Sequence, residues 1–434
     1  MKRFAFVALL AALCFGVASS ASATELKVKG NLDVYGIWSA NLNDFNSDVP
    51  DADNYATTQR MRTYFTFLAH ENLKAVLGLE MDHVWGQGGA DWGTDGKGEI
   101  EIKHAYLDFN FPDTQVNVKA GLQEVALPSV FGNPIFDDDA AALMVSAPIN
   151  DMVGVTVAYT RGVDGSDNFD ASGKDKDDLD MAFLAVPVTT DALDITPYFA
   201  YAWAGKNTAA PAGSGGVGSN FAINDDATAW WLGLNAEIKV LDPLTFAADV
   251  IYGQGRTDDK DMKTKGWYAA LAASYKFDML TATLFSTYGT GVDDAKADKQ
   301  TFLPTLAEGW GVTPYIGGVR AFNTGYDSFF SDAYGPVSDG TGLWTVGLDL
   351  NDITFVENLS HRLMVVYAQG TSDKNAGVSF DTKDSAWEVY LVNKYMIYEN
   401  LAAINELGFL APHLKDVKGE DPSYFGTIGF QYKF

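Results

Sequence analysis

From residue 26 the chain alternates. Leu26, Val28, Gly30, Leu32, Val34, Gly36 and Trp38 share one parity, and Lys27, Lys29, Asn31, Asp33 and Tyr35 share the other. A period of two puts apolar side chains on one face of a β-strand and polar ones on the opposite face. The pattern runs from 26 to 40. Strands of soluble proteins average roughly five or six residues, whereas a tilted strand needs roughly 9–11 to cross a bilayer. The next segments repeat the arrangement. Met61, Thr63, Phe65, Phe67 and Ala69 oppose Arg60, Arg62, Tyr64 and Thr66. Beyond the turn at Glu71-Asn72, Leu73, Ala75, Leu77, Leu79 and Met81 alternate with Lys74, Glu80 and Asp82. A Lys or Arg facing lipid at mid-membrane costs about 2–4 kcal/mol. The charged faces must therefore line a wet interior.

Read in this way, the pattern predicts an all-β fold, a transmembrane antiparallel β-barrel of eighteen strands, with sixteen as the alternative count. The strands fall at 26–40, 58–70, 73–86, 99–111, 114–124, 141–149, 153–162, 178–189, 193–205, 227–240, 243–256, 265–277, 279–291, 341–352, 359–371, 384–397, 400–411 and 422–434. Short connections, such as 70–72, 111–114 and 241–243, alternate with long polar ones, such as 41–57, 124–141, 205–227 and 292–340. Outer-membrane barrels have short periplasmic turns and long outer loops. The longest loop could hide a further hairpin around Tyr315–Phe322. Eight tryptophans, Trp38, Trp85, Trp203, Trp230, Trp231, Trp267, Trp344 and Trp387, lie near strand ends, where interfacial girdles belong. A barrel of this size encloses an aqueous channel, and no N-terminal plug is expected, because the first strand follows directly on the leader.

That leader is predicted at residues 1–23. Lys2 and Arg3 precede an apolar stretch from Phe4 to Val17, followed by Ala21-Ser22-Ala23, the small-x-small pattern of a signal-peptidase site. The single cysteine, Cys14, lies inside it, so the exported chain is expected to carry no disulfide. Beyond residue 23 there is no apolar run long enough for a membrane helix.

Composition narrows the function. Of 434 residues 47% are hydrophobic, yet mean hydropathy is only −0.05, as expected when apolar residues are interleaved with polar ones. A net charge of −27 excludes a nucleic-acid partner. No linear motif calls for an enzyme, a cofactor or a metal. His70-Glu71 is not continued as a zinc-protease helix, and His70, His83, His104, His361 and His413 are scattered. The GxGxxG match at Gly213–Gly218 lies in a small-residue loop with no strand–helix context. The acid-rich stretch Asp164–Asp180 lacks the bidentate Glu of a calcium loop, Leu179 standing in its place.

The last strand alternates Ile428, Phe430, Tyr432 and Phe434, and ends on Phe434. This ending resembles the assembly signal of outer-membrane barrels. With the strand pattern it makes residues 24–434 resemble the general trimeric porins of Gram-negative bacteria. The resemblance implies a homotrimer in the outer membrane, surrounded by lipid and lipopolysaccharide and inserted by the barrel assembly machinery. It also implies that the loop after the fifth strand, 124–141, folds inward as a constriction. That loop is apolar at Leu127, Val130, Phe131, Ile135 and Phe136, then acidic at Asp137, Asp138 and Asp139. Strand parity places Arg60, Arg62, Lys74, His104 and Lys119 on the lumenal side of strands two to five. These bases either face the acids across the pore, giving a transverse field, or pair locally with Glu80, Asp82, Glu101 and Asp108. The expected function is passive diffusion of ions and small hydrophilic solutes, with a mild cation preference from the excess acid. The alternatives are a substrate-specific channel for a sugar, organic acid or phosphate, and a structural or adhesive barrel acting through loop 292–340.

Overall fold

The computed structural model describes residues 24–41, 45, 47, 54–86, 99–164, 178–205, 208, 226–257, 263–293, 299–307, 309–322, 340–376, 378, 380–415 and 420–434. The predicted leader, the Gly213–Gly218 motif and most of the acidic loop within 164–180 lie outside these residues. The described part is built of strands: β1 Glu25–Ala40, β2 Asn54–His70, β3 Leu73–Val84, β4 Glu99–Asn110, β5 Asn117–Ala126, β6 Asp137–Pro148, β7 Gly154–Val163, β8 Leu179–Ala185, β9 Leu193–Ala204, β10 Ala227–Leu241, β11 Leu244–Thr257, β12 Lys263–Lys276, β13 Thr281–Gly289, β14 Leu343–Val356, β15 Leu359–Gly370, β16 Ser385–Tyr398, β17 Leu401–His413 and β18 Ser423–Lys433. After a break at Val186-Pro187, β8 resumes as Val188–Thr189, and both pieces pair with β9. A short stretch, Lys299–Gln300, runs parallel to the start of β12.

Each strand pairs antiparallel with the next, and β18 returns to β1 from Asn31↔Lys433 to Ala40↔Tyr424. The sheet has no free edge, so every strand finds ladder partners on both sides without water, as lipid demands. Phe434 completes the seam: its N–H and C=O pair with Gly30 at 3.0 and 2.9 Å. A side chain at position 30 would collide with the Phe434 ring and with the Arg62 carbonyl. Short turns close the periplasmic end, where Asp113 and Asn358 take positive φ, a conformation that Asx side chains tolerate.

The outward parity is the predicted one. Leu26, Val28, Leu107, Leu143, Val157, Leu232, Leu271, Leu284, Leu407 and Ile428 are exposed around the wall. Aromatic rings gather at both rims. At the long-loop end the pairs Tyr201–Trp203, Trp230–Tyr252, Tyr252–Trp267, Trp344–Tyr367 and Tyr367–Trp387 stand 4.6–5.9 Å apart. At the short-turn end Phe109–Phe111, Tyr275–Phe277 and Tyr432–Phe434 stand 4.5–5.8 Å apart. These are the two interfacial belts of a membrane barrel. Trp231 departs from the expectation: its parity turns it inward, where it is fully buried.

The interior is not empty. No plug was expected before the first strand, but a segment far along the chain, 301–322, lies within the barrel beside the loop 127–136. Leu303, Leu306, Trp310, Ile316 and Phe322 are buried there, as are Leu127, Ile135 and Phe136. The suspected hairpin is a turn in which Val312 N–H donates to the Ile316 carbonyl at 2.9 Å. It adds no strand to the wall.

Candidate functional site

The two inward segments are fastened to each other and to one side of the barrel. Leu306 N–H donates to Ile135 O (3.0 Å), Gly311 N–H to Phe131 O (2.9 Å) and Asp137 N–H to Ala307 O (2.8 Å). Gly132 has a φ of +74°, and a Cβ on it would stand 1.9 Å from the Gly309 carbonyl oxygen. Only glycine allows that approach.

Buried carboxylates on the wall act as clamps. Asp249 of β11 accepts from Val130 N–H (2.7 Å), Ser129 Oγ (3.2 Å) and Asn235 Nδ2 (2.7 Å). Glu388 of β16 accepts from the Thr313 hydroxyl and from Tyr315 N–H. Glu406 of β17 accepts from Ala321 N–H at 2.8 Å and from the Tyr390 hydroxyl at 2.6 Å, and pairs with Arg320. Trp231 and Trp310 donate their indole N–H groups to Pro304 O (2.8 Å) and the Tyr268 hydroxyl (2.9 Å). Tyr315 reaches Ser423 on β18, and Phe322 stacks on Tyr35 of β1 at 4.4 Å. A buried polar group with a partner stabilises, and one without a partner is costly. The segments therefore hold one arrangement across β9–β18 and β1. Sequence reading missed Asp249, Glu388 and Glu406. Their signal was a lone acid on the inward parity of a strand whose neighbouring inward positions are apolar.

The opposite wall, β2 to β5, carries charge. Arg60 grips Asp82 with Nε and Nη2, both at 2.6 Å, and reaches Glu80 at 3.2 Å. Arg62 pairs with Glu80, and Lys74 pairs with Asp108 at 2.9 Å. His104 Nε2 lies 2.9 Å from Asp139 Oδ1, whose other oxygen meets Lys103. Lys119 stands opposite Asp108 in register. All five predicted bases thus share one wall. Of these, Arg60, Arg62 and Lys74 pair with Glu80, Asp82 and Asp108, and His104 meets Asp139.

The acids require a correction. Asp137, Asp138 and Asp139 are not the tip of a loop: they open β6, and the inward loop is 127–136 rather than 124–141. The β5–β6 hairpin extends to Ala126↔Asp137, beyond the last β4–β5 pair at Ala105↔Leu122. Gly121, with a φ of +131°, sits where the pairings part. Asp139 crosses from this hairpin to β4, so it lies against the basic wall instead of facing it. Lys103 was missed because of a bulge. Gly78 pairs with His104 and Leu79 with Ile102, which leaves Lys103 as an extra residue. Such an insertion breaks simple parity.

No family model matches the sequence, and no curated protein sequence matches it. Solved structures do. The chain superposes on Pseudomonas aeruginosa OpdL with a TM-score of 0.56 at 12% identity, covering 94% of this chain and 99% of that one. For P. aeruginosa OccK8 (OprE) the TM-score is 0.55 at 10% identity, with coverages of 94% and 98%. For Acinetobacter baumannii OccAB4 it is 0.55 at 10% identity, with coverages of 96% and 100%. At such identities the likeness shows the fold, a closed antiparallel barrel of eighteen strands of the outer-membrane porin type.

Proposed function

We propose that this chain is an outer-membrane channel through which ions and small hydrophilic solutes diffuse passively past a narrowed, charged waist. One observation carries the reading. Two inward segments occupy one side of an apolar-coated cylinder and leave the ionised β2–β5 wall opposite them. A solute crossing such a pore is filtered by size against Phe131 and its neighbours, and by charge along Arg60, Arg62, Lys74, Lys103 and Lys119. Because these bases are matched by Glu80, Asp82, Asp108 and Asp139, the wall is nearly neutral. Ion preference is then mild and set by acid elsewhere, in the direction of cations.

Planar-bilayer recordings in a salt gradient test this. The expected result is an open pore with a small reversal potential of cationic sign. Absence of conductance would favour a structural barrel, and anion preference would overturn the charge argument. A second reading, a substrate-specific channel, gains support from the segment 301–322, which holds fixed groups inside the bore. Saturable uptake, or block of conductance by a sugar, an organic acid or phosphate, would identify that case. Cleavage after Ala23 belongs to the same reading and is read by N-terminal sequencing of the exported protein. Trimeric assembly, which rests on the resemblance alone, is read from the native mass of the unboiled protein.

A further inference from the structure

The wall opposite the two inward segments carries rings as well as charge. On β1 to β4 the inward positions form ordered rows across the strands. Lys29 pairs with Tyr64, Tyr64 with Gly78 and Gly78 with His104. One row further towards the short turns, Thr66 pairs with Val76 and Val76 with Tyr106. Three rings follow one another as a result. Tyr64 and His104 stand 5.3 Å apart between ring centres, and His104 and Tyr106 5.9 Å. Gly78 sets the pose of the first ring. A Cβ there would stand 2.9 Å from both Cδ1 and Cε1 of Tyr64 and 3.0 Å from Cβ of His104. The Tyr64 ring therefore reaches across β3 over the glycine and meets His104. His104 is buried and pinned by Asp139, whereas Tyr64 and Tyr106 are partly exposed.

Ion pairs bracket these rings. Arg62–Glu80 lies one row above, towards the long loops, and Lys74–Asp108 one row below. The strip between the two pairs is ~20 Å long at the rise of a β-strand. Lys29 Nζ stands 6.0 Å from the centre of the Tyr64 ring, at the limit of a cation–π contact, and adds a donor beside it. Each ion pair is already closed on itself. A carboxylate solute would have to displace Glu80 or Asp108 from its cation and leave that acid without its partner. A neutral polyhydroxyl solute displaces neither. Guanidinium and ammonium N–H groups not used by the acid donate to its hydroxyls, and the remaining carboxylate lone pairs accept from them.

We propose that this strip of the wall is a binding track for a neutral saccharide. The C–H face of a sugar ring is weakly positive and packs on the electron-rich face of Tyr64 or Tyr106. The hydroxyls around its rim reach Arg62 and Glu80 at one end of the strip, and Lys74 and Asp108 at the other. Solute choice then follows from the donors and acceptors that line the pore, with no net charge needed. The inference rests on the substrate-specific reading above and names the solute class for it.

The test is planar-bilayer recording on the full chain with four solutes: maltotriose, polyethylene glycol of matching size, benzoate and inorganic phosphate. Maltotriose is expected to reduce the current saturably, and the polymer only in proportion to the conductivity of the solution. Tyr64→Ala combined with Tyr106→Ala should weaken the maltotriose block roughly ten-fold, while Tyr64→Phe with Tyr106→Phe keeps both rings and should retain it. Equal action of maltotriose and the polymer on wild type would overturn the proposal, and so would an undiminished block in the alanine variant. Saturable block by benzoate or phosphate, without block by maltotriose, would overturn the saccharide and keep the substrate-specific reading. An open pore that none of the solutes saturates would remove both. A shift in gel mobility between unboiled and boiled samples of all three proteins shows that the barrels are intact, so that a weakened block is attributable to the rings.

Discussion

Asp139 joins two parts of the molecule that the sequence keeps apart. It is the one acid of its run that reaches the basic wall, and it holds both Lys103 and His104. Asp139→Asn leaves these bases without their counter-charge and keeps the side chain's shape. The reversal potential should move towards anions, by an amount visible at low ionic strength and screened at about 1 M salt. An unchanged potential would place the ion filter elsewhere. At the outer surface, Asp421 accepts from the Ser47 hydroxyl at 2.6 Å and from its N–H at 2.9 Å, and these bonds hold its carboxyl below the usual range. A lowered folded-state value means that the bond between these loops is at full strength above the ordinary value of 3.8 and is lost as pH falls through the lower one. Loop proteolysis near Ser47 should accelerate only in strongly acidic solution, and Asp421→Asn should remove that dependence.

Among the elements, the strands were legible and the lumen's contents were not. Lipid enforces a strict period of two on any strand that faces it, so 26–40, 58–70 and 73–86 announced themselves, and all eighteen expected strands were found within a few residues of their limits. Inside the cylinder a side chain meets water or protein according to what else is there, and the period carries no such information. The signal that marked 127–136 was a set of apolar residues in a connection that should be solvated. The same signal was present at Phe302, Leu303, Leu306, Trp310, Val312 and Ile316, but the length of 292–340 disguised it as an external loop. Replacing 301–322 by a short Gly/Ser linker should raise single-channel conductance several-fold, because among the described residues none then crosses the bore between Trp231 and Tyr35. The barrel should remain heat-modifiable, since its strands pair without the segment. Unaltered conductance would mean that ions already avoid that side of the pore.

For the whole molecule, closure depends on the contact between the two ends of the chain. Phe434 pairs with Gly30 through its backbone, stacks on Tyr432 and faces outward with Phe430 and Ile428. Phe434→Ala keeps the backbone pair and removes the ring. Steady-state insertion should fall several-fold, with the fold of the inserted fraction unchanged, as judged by outer-membrane yield against gel mobility. Equal yield would make the terminal ring a lipid contact only. The outward face of each of these two strands was readable from parity, whereas their register and the small gap that Gly30 leaves for the ring needed coordinates.

The segment that crosses the bore touches both sides of that seam, through Tyr315 to Ser423 on one flank and through Phe322 to Tyr35 on the other. These anchors come within reach of each other only after the polypeptide's first and last strands have met. The pore's final width is therefore fixed late in biogenesis, and an intermediate stalled before the ends join would be the leakiest form this molecule ever takes.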